Sequence, residues 1–312
     1  MTSFAFVFPG QGSQAVGMLD AWGDHPAVRQ TLAEASAALG EDIGRLIAGG
    51  PKDQLDLTTN TQPVMLTAGI ACYRAWCAEG GAQPAALAGH SLGEYAALVA
   101  AGALALADAL PLVRFRAQAM QEAVPVGAGA MAAILGLDAA VVIEGCERAA
   151  VESGEVVSAA NFNDPKQTVI AGTKAGVDHA CAVLKAAGAK RALLLPVSAP
   201  FHCSLMKPAA ERLRERLASV PLRAPTVPVV NNIDVATPDD PAAIRDALYR
   251  QAFGPVRWVE VTQALRARSL RHVVECGPGK VLSGMVKRID AELIPGAVFD
   301  PASLQATREL LA

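Results

Sequence analysis

Charge, clustered cysteines and long apolar runs are all scarce in this sequence, and each shortage removes a class of function. Charged residues make up 18% of the 312, against about 25% in an average soluble domain, so long disordered tails are not expected. Lysine and arginine number 27 against 30 aspartates and glutamates, a formal net charge of −3. Nucleic-acid binders carry a strong cationic excess, so no DNA or RNA partner is expected. The six cysteines (Cys72, Cys77, Cys146, Cys181, Cys203 and Cys276) form no C-x-x-C pair and no His/Cys cluster. Zinc-ligand spacing is therefore missing, and a chain this long needs no disulfide framework. They read as buried, reduced thiols of a cytoplasmic protein. The longest apolar stretch, Ala96 to Ala107, stops at Asp108, short of the roughly 18 residues that a membrane span requires. Met1-Thr2-Ser3-Phe4 lacks the basic start of a secretory signal. A soluble protein without membrane contact is the expectation.

What the chain has is apolar mass. Hydrophobic residues are 52% of the sequence, and at this length folding buries roughly 75% of the surface exposed by the unfolded chain. Short β-type runs alternate with helical patterns, which predicts an α/β fold with a mostly parallel sheet. Phe4 to Phe8 reads as a strand closed by Pro9-Gly10-Gln11-Gly12, followed by a helix through Val28, Leu32, Ala35 and Leu39 that Gly40 caps. A second helix is expected to start near Pro63 and end at Gly80-Gly81. Ala85 to Ala88 is a short strand running into a helix from about Leu92 to Leu104, and Asp108 is expected to cap the next helix, which ends before Pro125. After Gly127 the rhythm changes to β-α-β-β-α-β, with strands at 131–137, 156–160, 167–171 and 192–197 and helices at 138–153 and 174–187. That order predicts a ferredoxin-like subdomain over 127–198, inserted into a catalytic core made of 1–126 and 199–312. The parent pattern then resumes with a helix from Ser204 to Ser219, strands at 226–230 and 270–276, and a helix from Val256 to Arg266 between them.

The strongest chemical signal is Gly89-His90-Ser91-Leu92-Gly93. A serine on a tight strand-to-helix turn projects its hydroxyl clear of the backbone, and the helix start beside it favours developing negative charge. The alternative is an ordinary helix-capping serine. A nucleophilic serine needs a base. Of the five histidines, His272 falls in an apolar strand, His179 in a helix of the insert and His25 in a polar loop. His90 leaves the turn in another direction. His202 remains, in a loop just before a helix, where the helix start disfavours the imidazolium. No acidic partner follows Ser91 in the order ordinary α/β-hydrolases use; Asp234, Asp239 and Asp240 all come after His202. The Gly10-Gln11-Gly12 loop lacks dinucleotide spacing but can offer the Gln11 N–H, with that of Leu92, to an oxyanion; a plain tight turn is the other reading. Arg116 shares a helix face with Leu112 and Met120, away from Arg114, Gln118 and Gln121. A cation there must meet a structural carboxylate or a substrate carboxylate.

Together, Gly10-Gln11-Gly12-Ser13-Gln14, Gly89-His90-Ser91-Leu92-Gly93-Glu94, Arg116 with Met120-Gln121, Asn161-Phe162-Asn163, Phe201-His202 and Glu275-Cys276-Gly277-Pro278-Gly279 resemble the malonyl-CoA:acyl-carrier-protein transacylases. The likeness runs from Phe8 to about Arg288 in the same order. It implies a hydrolase-like core with a ferredoxin-like insert, and a malonyl ester on Ser91 with His202 as general base and acid. It further implies an oxyanion hole from Gln11 and Leu92, and Arg116 clamping the malonyl carboxylate beside Asn161 and Phe201. Gln251 matches the glutamine whose main-chain carbonyl orients the histidine. A bulky Phe201 fits selectivity for malonyl over methylmalonyl; Ala199 and Pro200 before it depart from some relatives. The implied partners are malonyl-CoA and an acyl carrier protein, whose phosphopantetheine thiol accepts the group; no metal or redox cofactor is implied. Carrier proteins are typically acidic, so Lys190, Arg191, Lys287 and Arg288 are candidate docking cations. Fatty-acid synthesis is the expected pathway, with a trans-acting acyltransferase of a polyketide synthase, or a serine thioesterase, as alternatives.

Overall fold

A computed structural model describes residues 2–312. The chain runs through β1 (Phe4–Phe8), α1 (Pro26–Leu39), α2 (Ile43–Gly49), α3 (Lys52–Leu55), α4 (Thr58–Ala78), β2 (Ala86–Gly89), α5 (Gly93–Ala100) and α6 (Leu106–Glu122). It continues through β3 (Gly129–Leu135), α7 (Ala139–Ser153), β4 (Val157–Asp164), β5 (Gln167–Thr173), α8 (Lys174–Ala186) and β6 (Arg191–Leu194). It closes with α9 (Lys207–Ala218), β7 (Val229–Val230), α10 (Pro241–Gln251), α11 (Trp258–Ala267), β8 (His272–Cys276), α12 (Val281–Ile289), β9 (Ile294–Val298) and α13 (Pro301–Leu311).

A five-stranded parallel sheet has the order β7-β2-β1-β8-β9, and a four-stranded antiparallel sheet the order β4-β5-β3-β6. This is the α/β class, and the second sheet carries the βαββαβ order expected of the insert. In the parallel sheet Phe8 pairs with Gly89, so β1 and β2 end side by side. The turns that leave them therefore emerge together at the carboxyl edge, where open α/β sheets place their ligands. In the antiparallel sheet Ala132, Ile134 and Ile170 pack against Val142, Cys146, Val177 and Leu184 of α7 and α8. Met131, Ala133, Val169 and Ala171, on the opposite face, pack with Cys203, Phe201 and Leu195. That two-residue alternation is what a sheet with one helix-covered face requires. β4 is bulged between Ala159 and Asn161, and it reaches the rest of the fold through Phe162 N–H to the Val256 carbonyl, 2.9 Å, and Val256 N–H to the Ala160 carbonyl, 2.8 Å.

Several element limits differ from expectation for local reasons. α4 begins at Thr58, with Pro63 inside it; the pyrrolidine only withholds one early-turn hydrogen bond, and Thr61, Gln62, Pro63 and Val64 are all buried. α6 begins at Leu106 rather than after Asp108, because Leu106 is buried and draws the start inward. Asp108 sits in the first turn, where its charge still faces the helix's positive end. α5 ends at Ala100 instead of Leu104, since Gly102 takes a left-handed φ of +70°. Four of the cysteines are buried, but Cys77 is exposed and Cys181 half-buried. Among the described residues, no helix is long and apolar enough to cross a membrane.

Candidate active site

Ser91 occupies the turn between β2 and α5 with φ +51°, a left-handed conformation uncommon for a residue with a side chain. The flanking glycines allow it. A Cβ on Gly89 would collide with the Gly93 backbone, and one on Gly93 would collide with the Phe8 carbonyl. The two ends of the motif therefore touch each other and β1 with no room for side chains. The resulting elbow lifts the serine hydroxyl into a cavity of about 590 Å³.

His202 also has a left-handed backbone, φ +61°, and its Nε2 lies 2.6 Å from Ser91 Oγ. Its Nδ1 lies 2.9 Å from the Gln251 carbonyl and 3.2 Å from that of Gly254. Carbonyls only accept, so Nδ1 carries the proton and Nε2 presents its lone pair to the serine. Burial, and then the Arg116 guanidinium, hold the His202 pKa down at about 3. The ring is thus neutral, as expected, but burial and a neighbouring cation are the cause rather than the helix start. Of the other histidines, His25 pairs with Glu79 and His179 with Glu152, away from the cavity, while His90 lines it with its Nε2 2.8 Å from the Asn163 amide oxygen. His272 opens β8.

Arg116 is buried on α6. Its Nη1 donates to Gln62 Oε1 at 2.9 Å, and its Nη2 to Ser91 Oγ and Gln251 Oε1, both at 3.2 Å. Its Nε has no partner, and its guanidinium carbon sits 5.5 Å from the Tyr95 ring centre. Among the described residues no carboxylate forms an ion pair with it. The structural carboxylate considered for this position is therefore not in contact with it. A buried guanidinium held only by neutral amides, a hydroxyl and a ring is poised for an external anion.

Gln11, Leu92, Asn161 and Phe201 line the same cavity as Ser91, Arg116 and His202. The N–H groups of Gln11 and Leu92 make no hydrogen bond within the described chain. Gln251 lies behind, at the end of α10. The antiparallel sheet adds Met131, Asn163 and Val169, and the segment after β6 adds Leu195, Pro196, Val197 and Ser198. Lys190, Arg191, Lys287 and Arg288 are exposed, and Arg288 Nε is engaged by Asp164 at 2.8 Å.

Sequence reasoning gives no role to Gln62, Glu94 or Asn232, all of them buried here. Asn232 Oδ1 accepts the Ser91 N–H at 2.7 Å while its Nδ2 donates to the Gly89 carbonyl at 2.7 Å. The Asn231-Asn232 pair that follows the buried Val229-Val230 strand is the one available signal, since a buried amide must find partners.

Residues 5–292 match the acyl transferase domain family. The chain is 55% identical over 311 residues to the malonyl CoA-acyl carrier protein transacylase of Escherichia coli K12, covering 99% of this chain and 100% of that one. A crystal structure of an acyl-carrier-protein S-malonyltransferase from Burkholderia pseudomallei superposes with a TM-score of 0.97 at 66% identity, covering 99% and 100% of the two chains. A malonyl-transacylase solved in complex with its type II PKS acyl-carrier protein gives a TM-score of 0.97 at 48% identity, again over 99% and 100%.

Proposed function

The chain belongs to the acyl transferase domain family, and from that premise we propose that it carries a malonyl group from malonyl-CoA to the phosphopantetheine thiol of an acyl carrier protein through an ester on Ser91. The observation that supports this most strongly is the position of one hydroxyl. Ser91 Oγ lies between a lone-pair nitrogen at 2.6 Å and a buried guanidinium at 3.2 Å, on the wall of one cavity.

In the first half-reaction Ser91 Oγ attacks the thioester carbon while its proton passes to His202 Nε2. The carbonyl oxygen becomes an oxyanion facing the unused N–H groups of Gln11 and Leu92. Collapse breaks the C–S bond, and the departing thiolate takes the proton back from Nε2. In the second half the carrier thiol gives its proton to Nε2, its sulfur attacks the Ser91 ester, and the serine oxygen leaves with that proton. Arg116 holds the malonyl carboxylate in bidentate fashion, with Asn161 and Phe201 beside it. Because a carbonyl rather than a carboxylate stands behind Nδ1, orientation is supplied without full stabilisation of the imidazolium. That weaker activation favours a thiol over water as the second nucleophile.

The route uses no metal or redox group, and the reduced thiols fit a cytoplasmic location. Fatty-acid synthesis is the pathway we assign. Likeness to a transacylase solved with a type II PKS carrier favours supply of a polyketide synthase as the second reading. The test is transfer itself: protein exposed to malonyl-CoA, desalted and mixed with a phosphopantetheinylated carrier should lose its malonyl mass as the carrier gains it. Release of free malonate with the carrier unchanged would favour a thioesterase and overturn the reading.

A further inference from the structure

Beneath the elbow one carboxylate oxygen gathers the site's supports. Glu94 stands in the first turn of α5 and is 2% exposed. Its Oε2 accepts the Asn232 N–H at 2.8 Å and Gln251 Nε2 at 2.9 Å. Asn232 in turn holds the Ser91 N–H. Gln251 Nε2 also donates to the Ser91 carbonyl at 3.1 Å, its Oε1 receives Arg116 Nη2, and its own carbonyl receives His202 Nδ1–H. Both peptide groups of the nucleophile, the base and the guanidinium are thus tied to Glu94 through two residues, Asn232 and Gln251, by main-chain and side-chain bonds together.

We propose that Glu94 is a positioning residue that also supplies the negative charge missing behind His202. It lies across Gln251 from Arg116 and offsets the two cations, guanidinium and transient imidazolium, that the reaction places around Ser91. This rests on the acyl-transfer reading above.

Selectivity exposes the charge. With a malonyl thioester bound, the substrate's own carboxylate neutralises Arg116, and Glu94 is partly redundant. With an acetyl thioester no such anion arrives, and Glu94 alone offsets both cations. Glu94→Gln keeps the shape and an acceptor oxygen but removes the charge. Acetyl transfer should fall further than malonyl transfer, and the ratio of malonyl to acetyl kcat/KM should rise about tenfold, the equivalent of one pKa unit. A residue that only braced Gln251 would do the opposite, since a loosened guanidinium discriminates less. A ratio that stays level or falls overturns the proposal.

The unmodified protein gives a second measurement should the variant not fold. Burial raises the Glu94 pKa to about 7 against the pull of Gln251, the Asn232 N–H and Arg116. Lowering the pH from 8 to 6 should therefore raise the same ratio. The charged and titratable groups that act on the carboxylate are Arg116 on α6, Tyr95 on α5 and Asp234 after β7. The base acts on both substrates, so its titration cancels in the ratio. A level ratio across that range overturns the proposal. Absence of any malonyl ester on the unmodified protein would instead overturn the underlying reading.

Discussion

In the parallel sheet β1 and β2 are buried along their whole length, whereas the antiparallel sheet packs one face on α7 and α8 and turns part of the other to the cavity. A sheet covered on both faces has no side chain to spare for a ligand, so its chemistry must come from the strand ends. Gln11 and Ser91 sit in those turns, and the elbow requires glycines that touch backbone. A sheet with a free face can form a wall from ordinary strand positions, as Met131 and Val169 do. The parallel sheet with its loops thus holds the reacting atoms, and the antiparallel sheet shapes the space around them.

Substitutions can break that division, and the largest effect should come from the elbow. Ser91→Ala removes the hydroxyl that forms the acyl-enzyme ester, and malonyl transfer should fall by a factor on the order of 10³ or more in a carrier assay. Arg116→Ala should come next. Its preference for malonyl over acetyl thioesters should drop by about 2–4 kcal/mol, because a substrate without the distal carboxylate no longer leaves a buried cation unpaired. Measured rates with both thioesters check it, and undiminished selectivity would rule out the clamp.

The pH profile sharpens the same contrast. The folded His202 pKa, about 3, lies below the ordinary 6.5, so the base stays neutral as the pH falls through the window between them. The kcat/KM for malonyl-CoA should therefore change no more than a few-fold from pH 8 to 5, where an ordinary histidine would cost about thirtyfold. For stability the sign runs the other way: the neutral burial of His202 stabilises the fold fully above pH 6.5, and that contribution is lost progressively as the pH drops towards 3. The smallest catalytic effect should come from the wall. Val169→Ala should destabilise by about 1–2 kcal/mol in denaturant unfolding yet leave kcat within about threefold.

Much of this fold was legible because its periodicities are local. The β-α-β-β-α-β order of the insert, β1, and the strand-elbow-helix around Ser91 all follow from short patterns. β9 was not legible, since Pro295 and Gly296 interrupt it; an edge strand tolerates them where a central one would not. The sequence reading likewise assigns no helix to α10, α12 or α13. At the site, Ser91, His202 and Arg116 each carried a local signal, but the bonds that join them span sequence separations of 111 and 25 residues. Glu94 and Asn232 meet across 138 residues, and no spacing in the sequence announces such a pair. Resemblance to a known family supplies Gln251, whose main-chain carbonyl orients His202 and whose side-chain bonds to Arg116 and Glu94 span 135 and 157 residues.

Peptide mapping of the protein after brief exposure to malonyl-CoA, with no carrier present, locates the acyl-enzyme ester itself. A malonyl ester should form on the peptide containing Ser91 and on no other, and it should be lost in Ser91→Ala. An ester on another residue, or one that survives that substitution, would contradict the role of Ser91.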